Sequence, residues 1–579
     1  MERKEIARVL EEVGTLLELK GENPFKVRAY HQAARTVLQL ERDLAELIET
    51  GGLDKVKGIG KALSEKIAEL VTTGRLEYLD RLKKSLPPGI FELMRVQGLG
   101  PKKIKVLYED LGITTLGELE YACLENRLTT LKGFGSKTQS NVLKGIENLK
   151  KYRGYFLWSE AEAPALELAE ILRACPAIER VELAGDFRRL NEIVKKVVLA
   201  AVSEKPREVA RFLKGFDLIE SIEKQGESEL SLALASGLNA QVRLVSEEAF
   251  PIVLYHLTGS EEHITLMSRR AESVQMKLSP DGLLDQSGQS RSVSDEVEIF
   301  TMLGLRWIYP ELREGRGEIE AAEDGGLPEL VSLSDIKGVF HVHSNYSDGG
   351  LSISESVAWC REHGYEYLGL TDHSRTAAYA GGLGLEELQS QFEDVDKIRA
   401  EYPDFKLFWG IESDILPDGS LDYPDDILAR FDFVIASVHA AFKLSEREMT
   451  KRLIRAIQNP YTTILGHPTG RLLLAREPYE VDLPAVLTAA SEIGTIIEIN
   501  ANPHRLDLDW RMMPQARSLG LKMMINPDAH STDGLTHMRY GVQVARKGWL
   551  TPADVLNCLD QREMETYLKD FRKKRQEKV

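Results

Sequence analysis

Two histidines, His341 and His343, stand directly after the apolar residues Val339 and Phe340. In a β-strand, residues i and i+2 face the same side, so this spacing predicts that both imidazoles point to one place where a strand ends. Other candidate ligands follow short apolar runs further along the chain. Together they make a set of nine: His341, His343, Asp348, His373, Glu412, His439, His467, Asp528 and His530.

The order of strand, polar ligand and helix is typical of a (β/α) barrel, which gathers its site at the carboxyl ends of its strands. Imidazole and carboxylate ligands in one set suit Zn, Mn or Fe. The alternative is that each histidine only makes local hydrogen bonds. Six of the chain's 12 histidines follow predicted strands, which favours a metal centre, and six do not: His31, His256, His263, His363, His504 and His537.

The composition is that of a folded protein with several domains. A chain of 579 residues with 43% hydrophobic and 28% charged residues excludes wholesale disorder. The sequence has no run of about 18 apolar residues, which predicts no membrane span, and the charged segment 1–10 is unlike a signal peptide. Four distant cysteines without a Cys-x-x-Cys motif predict free thiols in a reducing cytoplasm.

The net charge of −17 is unevenly distributed. Residues 1–150 hold 25 Lys+Arg and 22 Asp+Glu, whereas the remainder holds 49 and 69. An acidic metal domain repels nucleic acid, so any DNA contact is expected mainly in the first quarter of the chain, through local basic loops and backbone amides.

A Gly-apolar-Gly turn that leads into a helix occurs three times in the first 150 residues. The glycines permit a tight turn, and the N-terminus of the next helix presents backbone N–H groups that bind a phosphate. One copy is weak evidence, but three copies followed by lysine resemble helix-hairpin-helix elements, which hold the DNA backbone without reading sequence. The residues concerned are Gly58, Gly60, Lys61 and Lys66; Gly98, Gly100, Lys102 and Lys103; and, in the weakest copy, Gly133 and Gly135.

The pattern changes after residue 155. An amphipathic helix over 161–175 precedes short apolar runs that predict strands at 178–183, 197–202 and 240–245. The acidic segment 318–334, which contains Gly325, Gly326 and Pro328, is typical of a linker.

The set of nine ligands resembles that of the PHP domain, a family of polymerase-associated and histidinol-phosphatase metal hydrolases, over about residues 335–575. Relatives often carry Asp in place of Val339, but this is not a ligand position. The resemblance implies phosphoester hydrolysis with three divalent ions, either Mn, Zn or Fe. It assigns the catalytic roles to His341, His343, Glu412, Asp528 and His530.

The residues after the apolar run 496–499 have two possible roles. Asn500, Asn502 and Arg505 either contact phosphate or pack behind the metal ligands. Spacing and the family pattern together group the ligands into three sets: His341, His343, Glu412 and Asp528; Glu412, His439 and His467; and Asp348, His373 and His530.

The first 315 residues resemble the X family of DNA polymerases, whose bacterial members carry a C-terminal PHP domain in the same order. The resemblance rests on 25–30, the hairpin turns, Gly185 with Arg188 and Arg189, 258–260 and 310–318. It implies a multidomain fold with an α-helical helix-hairpin-helix N-terminal region, an α+β nucleotidyltransferase-like palm and thumb, and a C-terminal α/β barrel of the distorted (β/α)7 PHP type. The expected boundaries are 1–82 for a lyase-like helical domain, 83–152 for a fingers-like domain, 153–250 for the palm, 251–317 for the thumb, 318–334 for the linker and 335–579 for the PHP domain.

The palm departs from the family where two Mg²⁺ ions would bind. The three metal-binding Asp positions and a Ser beside the nucleotide are all replaced. A cation at the metal position and a carboxylate beside the triphosphate oppose metal and nucleotide binding, so we predict no palm Mg²⁺ and loss of polymerase activity. The alternative is that Glu192 or Asp186 serves as a ligand. The degenerate positions are Asp186, Lys196, Val198 and Gln241, beside Arg188 and Arg189, which keep register.

The N-terminal region keeps more of the family pattern. Lys66 falls where members with 5′-deoxyribose-phosphate lyase activity carry the Schiff-base lysine, and Lys26 and Tyr30 match their 5′-phosphate positions. A lysine on a basic helix is more often a phosphate contact than a nucleophile, so both roles stay open for Lys66.

These features predict a DNA repair and processing protein, monomeric and cytoplasmic. Its N-terminal region would dock gapped, nicked or 3′-recessed DNA without sequence preference, and its PHP domain would act as a 3′-5′ exonuclease or clean 3′ ends. The alternatives are an active gap-filling polymerase with an associated 3′-5′ exonuclease, a non-catalytic DNA-end scaffold and a PHP-type small-molecule phosphatase. The complete ligand set disfavours the scaffold, and the hairpin turns disfavour the phosphatase.

Overall fold

The computed structural model describes residues 3–38, 40, 44–124, 127–131, 133–151, 154–280, 282–474 and 476–577. Lys132, in the third predicted turn, lies outside these ranges. The chain divides into two compact units, Met1–Arg153 and Gly154–Val579. No helix within the described ranges is both long enough and apolar enough to cross a bilayer.

The N-terminal unit consists of helices and turns over its described residues. Its first helix, α1 (Arg3–Leu19), is amphipathic: Ile6, Leu10 and Val13 recur at helical spacing and are fully buried in one apolar core. The other helices are α2 Pro24–Leu38, α3 Leu44–Glu49, α4 Lys61–Thr73, α5 Glu77–Lys84, α6 Ile90–Leu93, α7 Pro101–Leu111, α8 Leu116–Leu124 and α9 Ser136–Lys151.

The second unit begins with a palm-like sheet. Its elements are β1 Phe156–Leu157, α10 Trp158–Arg173, β2 Arg180–Ala184, α11 Gly185–Arg188, β3 Ile193–Val194, β4 Lys196–Val202, α12 Pro206–Leu213, β5 Ile219–Gln225, β6 Glu229–Leu234 and β7 Asn239–Val245. The five-stranded sheet has the order β2-β4-β7-β6-β5, and only β4 and β7 are parallel. The strands predicted in this region correspond to β2, β4 and β7.

A thumb-like layer follows, with α13 Phe250–Thr258, α14 Glu261–Ser273, β8 Lys277–Ser279, β9 Gly282–Leu284, β10 Ser290–Arg291, α15 Glu296–Met302 and α16 Glu318–Asp324. The first part of the predicted linker 318–334 is the helix α16, which belongs to the thumb core. Ile319 and Ala322 of α16 pack into the thumb core, and Glu318 is fully buried with its carboxylate 2.7 Å from His263 Nδ1. The acidic residues of this segment suggested an exposed linker, because the sequence does not show that Glu318 has a buried partner in His263.

The rest of the unit is a parallel barrel. Its elements are β11 Gly338–Val342, α17 Ile353–Glu362, β12 Tyr367–His373, α18 Leu385–Glu401, β13 Lys406–Asp414, α19 Asp425–Leu428, β14 Phe433–Ser437, α20 Glu446–Gln458, β15 Ile464–Leu465, α21 Leu483–Ile493, β16 Ile496–Asn500, α22 Met513–Ser518, β17 Met523–Asn526, α23 Thr532–Leu535, α24 Met538–Lys547 and α25 Gln561–Gln576. The seven strands stand in sequence order, and a parallel bridge between Val342 and Ala529 brings the two edges together. The predicted distorted (β/α)7 barrel is confirmed.

The barrel interior is closely packed around aromatic rings. One core cluster takes a residue from every strand and is covered by Met564 and Leu568 of α25. Gly369 of β12 faces the ring of Phe340 in β11. A Cβ atom at this position would lie 2.2 Å from that ring.

The barrel also shares a buried polar contact with the palm and thumb. Lys547, at the end of α24, is fully buried, and its ammonium donates to the carbonyl of Arg189 at 3.0 Å and to the carboxylate of Glu314. A buried ammonium needs such partners, so the folded barrel depends on the layers beside it.

We predict that Gly369→Ala destabilises the second unit by about 1–3 kcal/mol, because its methyl group would overlap the Phe340 ring in a closely packed interior. Denaturant unfolding measures the loss. Gly326→Ala is the matched control, since its nearest neighbouring atom would be 3.9 Å away. Equal losses in both variants would contradict the overlap.

Candidate metal centre and nucleic-acid interface

All nine predicted ligands lie together at the carboxyl ends of the barrel strands. His341 lies in β11, Glu412 lies in β13 and His373 ends β12, whereas the other ligands lie in loops that follow strands. Eight of the nine belong to three groups, and within each group the ligand atoms lie within 4.8 Å of one another. The ninth, His467, has its Nε2 atom 3.1 Å from Glu412 Oε1.

The backbone of this site adopts conformations that L-residues rarely take. His341, His467 and Asp528 have φ angles of 59°, 22° and 51°. Such strain is held by the surrounding structure and is concentrated at functional sites. The strand register shifts between Val339 and Val342, so a bulge, and not regular alternation alone, brings His341 and His343 to one site.

Glu412 occupies the middle of the cluster. Its carboxylate oxygens lie 3.2 Å from His341 Nε2, 3.0 Å from His373 Nδ1 and 3.3 Å from His439 Nε2. Four strands therefore direct imidazoles at one buried carboxylate, counting the contact with His467.

Asp348 and Asp528 mark the other side of the cluster. Asp348 Oδ1 lies 3.3 Å from His530 Nε2 and 3.6 Å from His373 Nε2, and Asp528 Oδ1 lies 3.2 Å from His343 Nε2. The grouping differs from the predicted one, because His343 and His373 each stand between two groups. Among the described residues the groups are His343, Asp348, His373 and His530; His341, His343 and Asp528; and His373, Glu412 and His439.

A second layer that the sequence analysis missed orients these ligands. Glu498 Oε1 lies 2.5 Å from His341 Nδ1, and Asp414 Oδ1 lies 2.6 Å from His439 Nδ1. Carboxylates behind ligating histidines fix the ring orientation and raise the basicity of the ligand. A carboxylate inside the otherwise apolar run 496–499 was the available signal for Glu498.

The protonation states reflect a surplus of buried negative charge. Burial lowers the pKa of His439, but Glu412 and Asp414 outweigh it and raise that pKa to about 10. Burial and the neighbouring His530 lower the pKa of His343 to about 4, so this ring is neutral at pH 7. A site that attracts protons so strongly at some rings while keeping others neutral also suits cations.

The residues fit bound divalent metal ions. Among the described residues, both ring nitrogens of His343, His341 Nε2 and Glu412 Oε2 are buried beside other ligand atoms and make no well-aligned hydrogen bond. Buried polar atoms without partners are unfavourable, and these atoms point into a set of imidazoles and carboxylates suited to Zn, Mn or Fe. Divalent metal binding is therefore compatible with the whole cluster.

The three predicted phosphate contacts separate in the structure. Asn500 is buried and donates from Nδ2 to Asp528 at 3.1 Å and to Glu498 at 3.2 Å, so it packs behind the ligands. Asn502 accepts from the backbone N–H of His504 and shapes the loop. Arg505 is part-exposed, with its Nε atom 3.5 Å from Asp528 Oδ2, which leaves it the best placed of the three to meet a phosphate.

In the N-terminal unit, the three turns have a common geometry. Gly58, Gly98 and Gly133 have φ angles of 97°, 88° and 88°, which glycine adopts without strain. The apolar residue that follows each one is buried, and the second glycines, Gly60, Gly100 and Gly135, are exposed with open space around them. The helix N-termini after these turns are therefore accessible to a phosphate backbone, as predicted for Lys61, Lys102 and Lys103, of which Lys61 and Lys102 are exposed.

The residues predicted to bind a 5′-phosphate lie around Tyr78. Lys26 Nζ and Lys66 Nζ are 5.7 and 5.2 Å from the centre of the Tyr78 ring, within reach of one ligand. Tyr30 differs from the prediction, because only 5% of its surface is exposed and its ring stacks on Tyr78 in the core. Its residue type did not reveal this burial.

The palm positions predicted to be degenerate have protein partners. Lys196 donates to Gln241 Oε1 at 2.5 Å, and Val198 is buried against Gly185. Asp186 accepts from Arg189 and from Asn191, so its carboxylate is occupied.

The neighbouring charged residues are also paired. Arg188 donates to Glu296 at 2.5 Å, Arg189 donates to Glu314 at 3.0 Å, and Glu192 accepts from Arg511 of the barrel at 3.0 Å. Both candidate substitute ligands, Asp186 and Glu192, are thus engaged with protein cations.

Comparison with protein-family models assigns four regions. Residues 1–76 match a helix-hairpin-helix domain, 90–148 a SAM-like helix-hairpin-helix tandem, 253–314 a DNA polymerase beta thumb and 340–501 a PHP domain. These matches agree with the predicted order of domains along the chain.

Individual proteins extend the comparison. The DNA polymerase/3′-5′ exonuclease PolX of Bacillus subtilis is 38% identical over 572 residues, covering 98% of this chain and 100% of that protein. A probable phosphatase of Thermoanaerobacter sp. is 29% identical over 249 residues, which are 40% of this chain and 95% of that protein. A probable phosphatase of Clostridium acetobutylicum is 26% identical over 239 residues, which are 40% of this chain and 93% of that protein.

Proposed function

This chain belongs to the bacterial X family of DNA polymerases with a C-terminal PHP domain, and from that membership we propose that it repairs DNA by hydrolysing phosphodiester bonds at the barrel's metal centre. It is a metal-dependent phosphoesterase that acts as a 3′-5′ exonuclease or removes blocking groups from 3′ ends. The observation that carries this proposal is the convergence of nine ligand side chains in one cluster, eight of them in three overlapping groups and the ninth, His467, beside Glu412. The name of the Bacillus subtilis relative supports the direction of cleavage.

The chain's own residues prepare the reaction in three ways. Glu498 and Asp414 hold the rings of His341 and His439, so the donor atoms keep one orientation. Arg505 adds a positive charge beside Asp528, where a substrate phosphate would enter. Divalent ions bound by the cluster would supply Lewis-acid stabilisation of the phosphate charge and lower the pKa of a water molecule. The catalytic roles fall to His341, His343, Glu412, Asp528 and His530.

The cofactors are three ions of Mn, Zn or Fe, in the three overlapping groups around His343, His373 and Glu412. The protein acts as a monomer in the cytoplasm. Four free cysteines, of which three are buried, support a reducing compartment.

DNA docks on the N-terminal unit. Its partner is gapped, nicked or 3′-recessed DNA, held by the three exposed turns without sequence preference. Lys26 and Lys66 bind an end phosphate near Tyr78. Lyase chemistry at Lys66 is the second possibility for this position.

The palm has lost nucleotide addition. Lys196, Val198 and Gln241 supply no carboxylate, and Asp186 and Glu192 are paired with arginines. The alternative is an active gap-filling polymerase, which the name of the Bacillus subtilis relative favours. A small-molecule phosphatase is favoured by the relatives named probable phosphatase, but such an enzyme has no use for helix-hairpin-helix regions over 1–76 and 90–148.

The double variant His341→Ala, His343→Ala should lose hydrolysis and bound metal together, because both imidazoles face the carboxylates of the cluster. The measurements are nuclease assays on 3′-recessed DNA and metal analysis of the desalted protein. The control is His363→Ala, because His363 is an exposed histidine at the C-terminal end of α17. Full activity in the double variant would refute the proposed function.

Charge reversal at Lys61, Lys102 and Lys103 should weaken binding to all DNA sequences alike. If each lysine contacts one phosphate, the slope of log affinity against log salt should fall by about 3 units. Reversal of three exposed lysines of the second unit, Lys205, Lys214 and Lys573, is the matched control for net charge. An equal effect of the two triple variants would contradict docking at the turns.

Extension of a one-nucleotide gap should be absent in Mg²⁺ and in Mn²⁺, measured in a His341→Ala background so that degradation cannot hide synthesis. Loss of both palm metals removes several kcal/mol of barrier lowering, and each 1.36 kcal/mol is about tenfold in rate. Lys196→Asp with Val198→Asp should not restore activity, because Gln241 and Asp186 remain. Template-directed addition at a normal rate would show that a carboxylate such as Glu192 still holds metal.

A further inference from the structure

A buried arginine of the barrel holds the loop that carries Arg505. Arg471 lies in the connection that follows β15. Its side chain donates from Nε to the carbonyl of Arg505 at 2.9 Å and also to the carbonyl of Leu506. A further nitrogen donates to the carboxylate of Asp509. Three donors of one guanidinium thus fix both ends of the segment 505–509.

The same segment determines where the Arg505 side chain lies. Leu506 has a φ angle of 44°, a conformation that the surroundings must maintain. Asp507 is fully buried and accepts from the backbone N–H of Thr469 at 2.9 Å. The result is that Arg505 Nε stands 3.5 Å from Asp528 Oδ2 at the edge of the metal centre.

Arg471 needs charge compensation that the barrel supplies only in part. Arg511 lies on the same carboxylate, with Nη1 2.9 Å from Asp509 Oδ2, so two guanidiniums share one barrel carboxylate. The second negative charge comes from the palm: Glu192 Oε1 is 3.0 Å from Arg511 Nη1 and 3.7 Å from Arg471 Nη2. Glu192 is only 6% exposed, so its charge is weakly screened.

We infer that Glu192 of the palm is a positioning residue for Arg505, acting through Arg471. The inference rests on the proposed hydrolysis at the barrel centre and gives the palm a role in it. Without Glu192, the guanidiniums of the buried Arg471 and the exposed Arg511 share the carboxylate of Asp509 with no palm charge beside them. Their repulsion displaces Arg471, the carbonyls of Arg505 and Leu506 lose their donors, and Arg505 no longer stands beside Asp528. The phosphate then loses a positioned cation.

The first test measures the loop without any catalysis. In Glu192→Gln, amide hydrogen exchange of a peptide spanning 500–509 should become faster than in the wild type, in the full chain without added metal. Glu162→Gln is the matched control, because Glu162 is another palm carboxylate that pairs with a barrel arginine, Arg539, at 2.7 Å. Its contacts do not include the segment 505–509, so exchange there should stay unchanged. Equal exchange in all three proteins would overturn the inference.

The second test is a double-mutant cycle on 3′-recessed DNA. Glu192→Gln should lower kcat/KM about tenfold, mainly through KM, and should have no further effect in an Arg505→Ala background, since it acts through that arginine. Additive losses would overturn the inference. Glu192→Asp, which keeps the charge but shortens the side chain, should fall between the wild type and Glu192→Gln, and it provides a folded variant if the amide does not fold.

Failure of the proposed function can be told apart from failure of this inference. Absence of hydrolysis in the wild type would refute the function alone, while the exchange comparison would still support or overturn the role of Glu192. Hydrolysis in the wild type with equal kcat/KM in Glu192→Gln and Glu162→Gln would overturn the inference and leave the function in place.

Discussion

The buried carboxylate of Glu412 is the centre on which the barrel site depends. Imidazoles that belong to four other strands or their loops lie within 3.3 Å of it. A buried carboxylate is stable only beside positive charge. The strands that carry these imidazoles must therefore keep their register if Glu412 is to remain ionised in the interior. Ligand geometry and barrel register are therefore one requirement, and the left-handed backbone at His341 and Asp528 is part of meeting it.

The charged residues of the palm take their partners from the neighbouring layers of the second unit. Its sheet pairs β4 with β7 in parallel, and a Lys196–Gln241 hydrogen bond joins the two strands. Arg188, Arg189 and Glu192 form ion pairs with the thumb and the barrel. These side chains thus connect the layers of the second unit to each other.

The parts that could be predicted from the sequence are those with a local signal. Ligands at the ends of apolar runs, and glycine turns that lead into helices, depend on residues close together in the chain. The bulge at His341, the burial of Tyr30 and the packing of 318–324 depend on distant partners, such as His263 for Glu318, and no short pattern contains them. Glu498 is intermediate, because a charge within an apolar strand was visible but its partner was not.

Lys547 has a consequence for how such proteins can be recombined. Its ammonium donates to a palm carbonyl, that of Arg189, and to a thumb carboxylate, that of Glu314. The barrel therefore carries a cation whose partners lie more than 200 residues earlier in the chain. A chimera joined at the start of the barrel would pair this lysine with foreign side chains and bury an uncompensated charge. The junction suited to exchange of parts between relatives is therefore near residues 153 and 154, where the chain passes from the first compact unit to the second, and not at the start of the barrel.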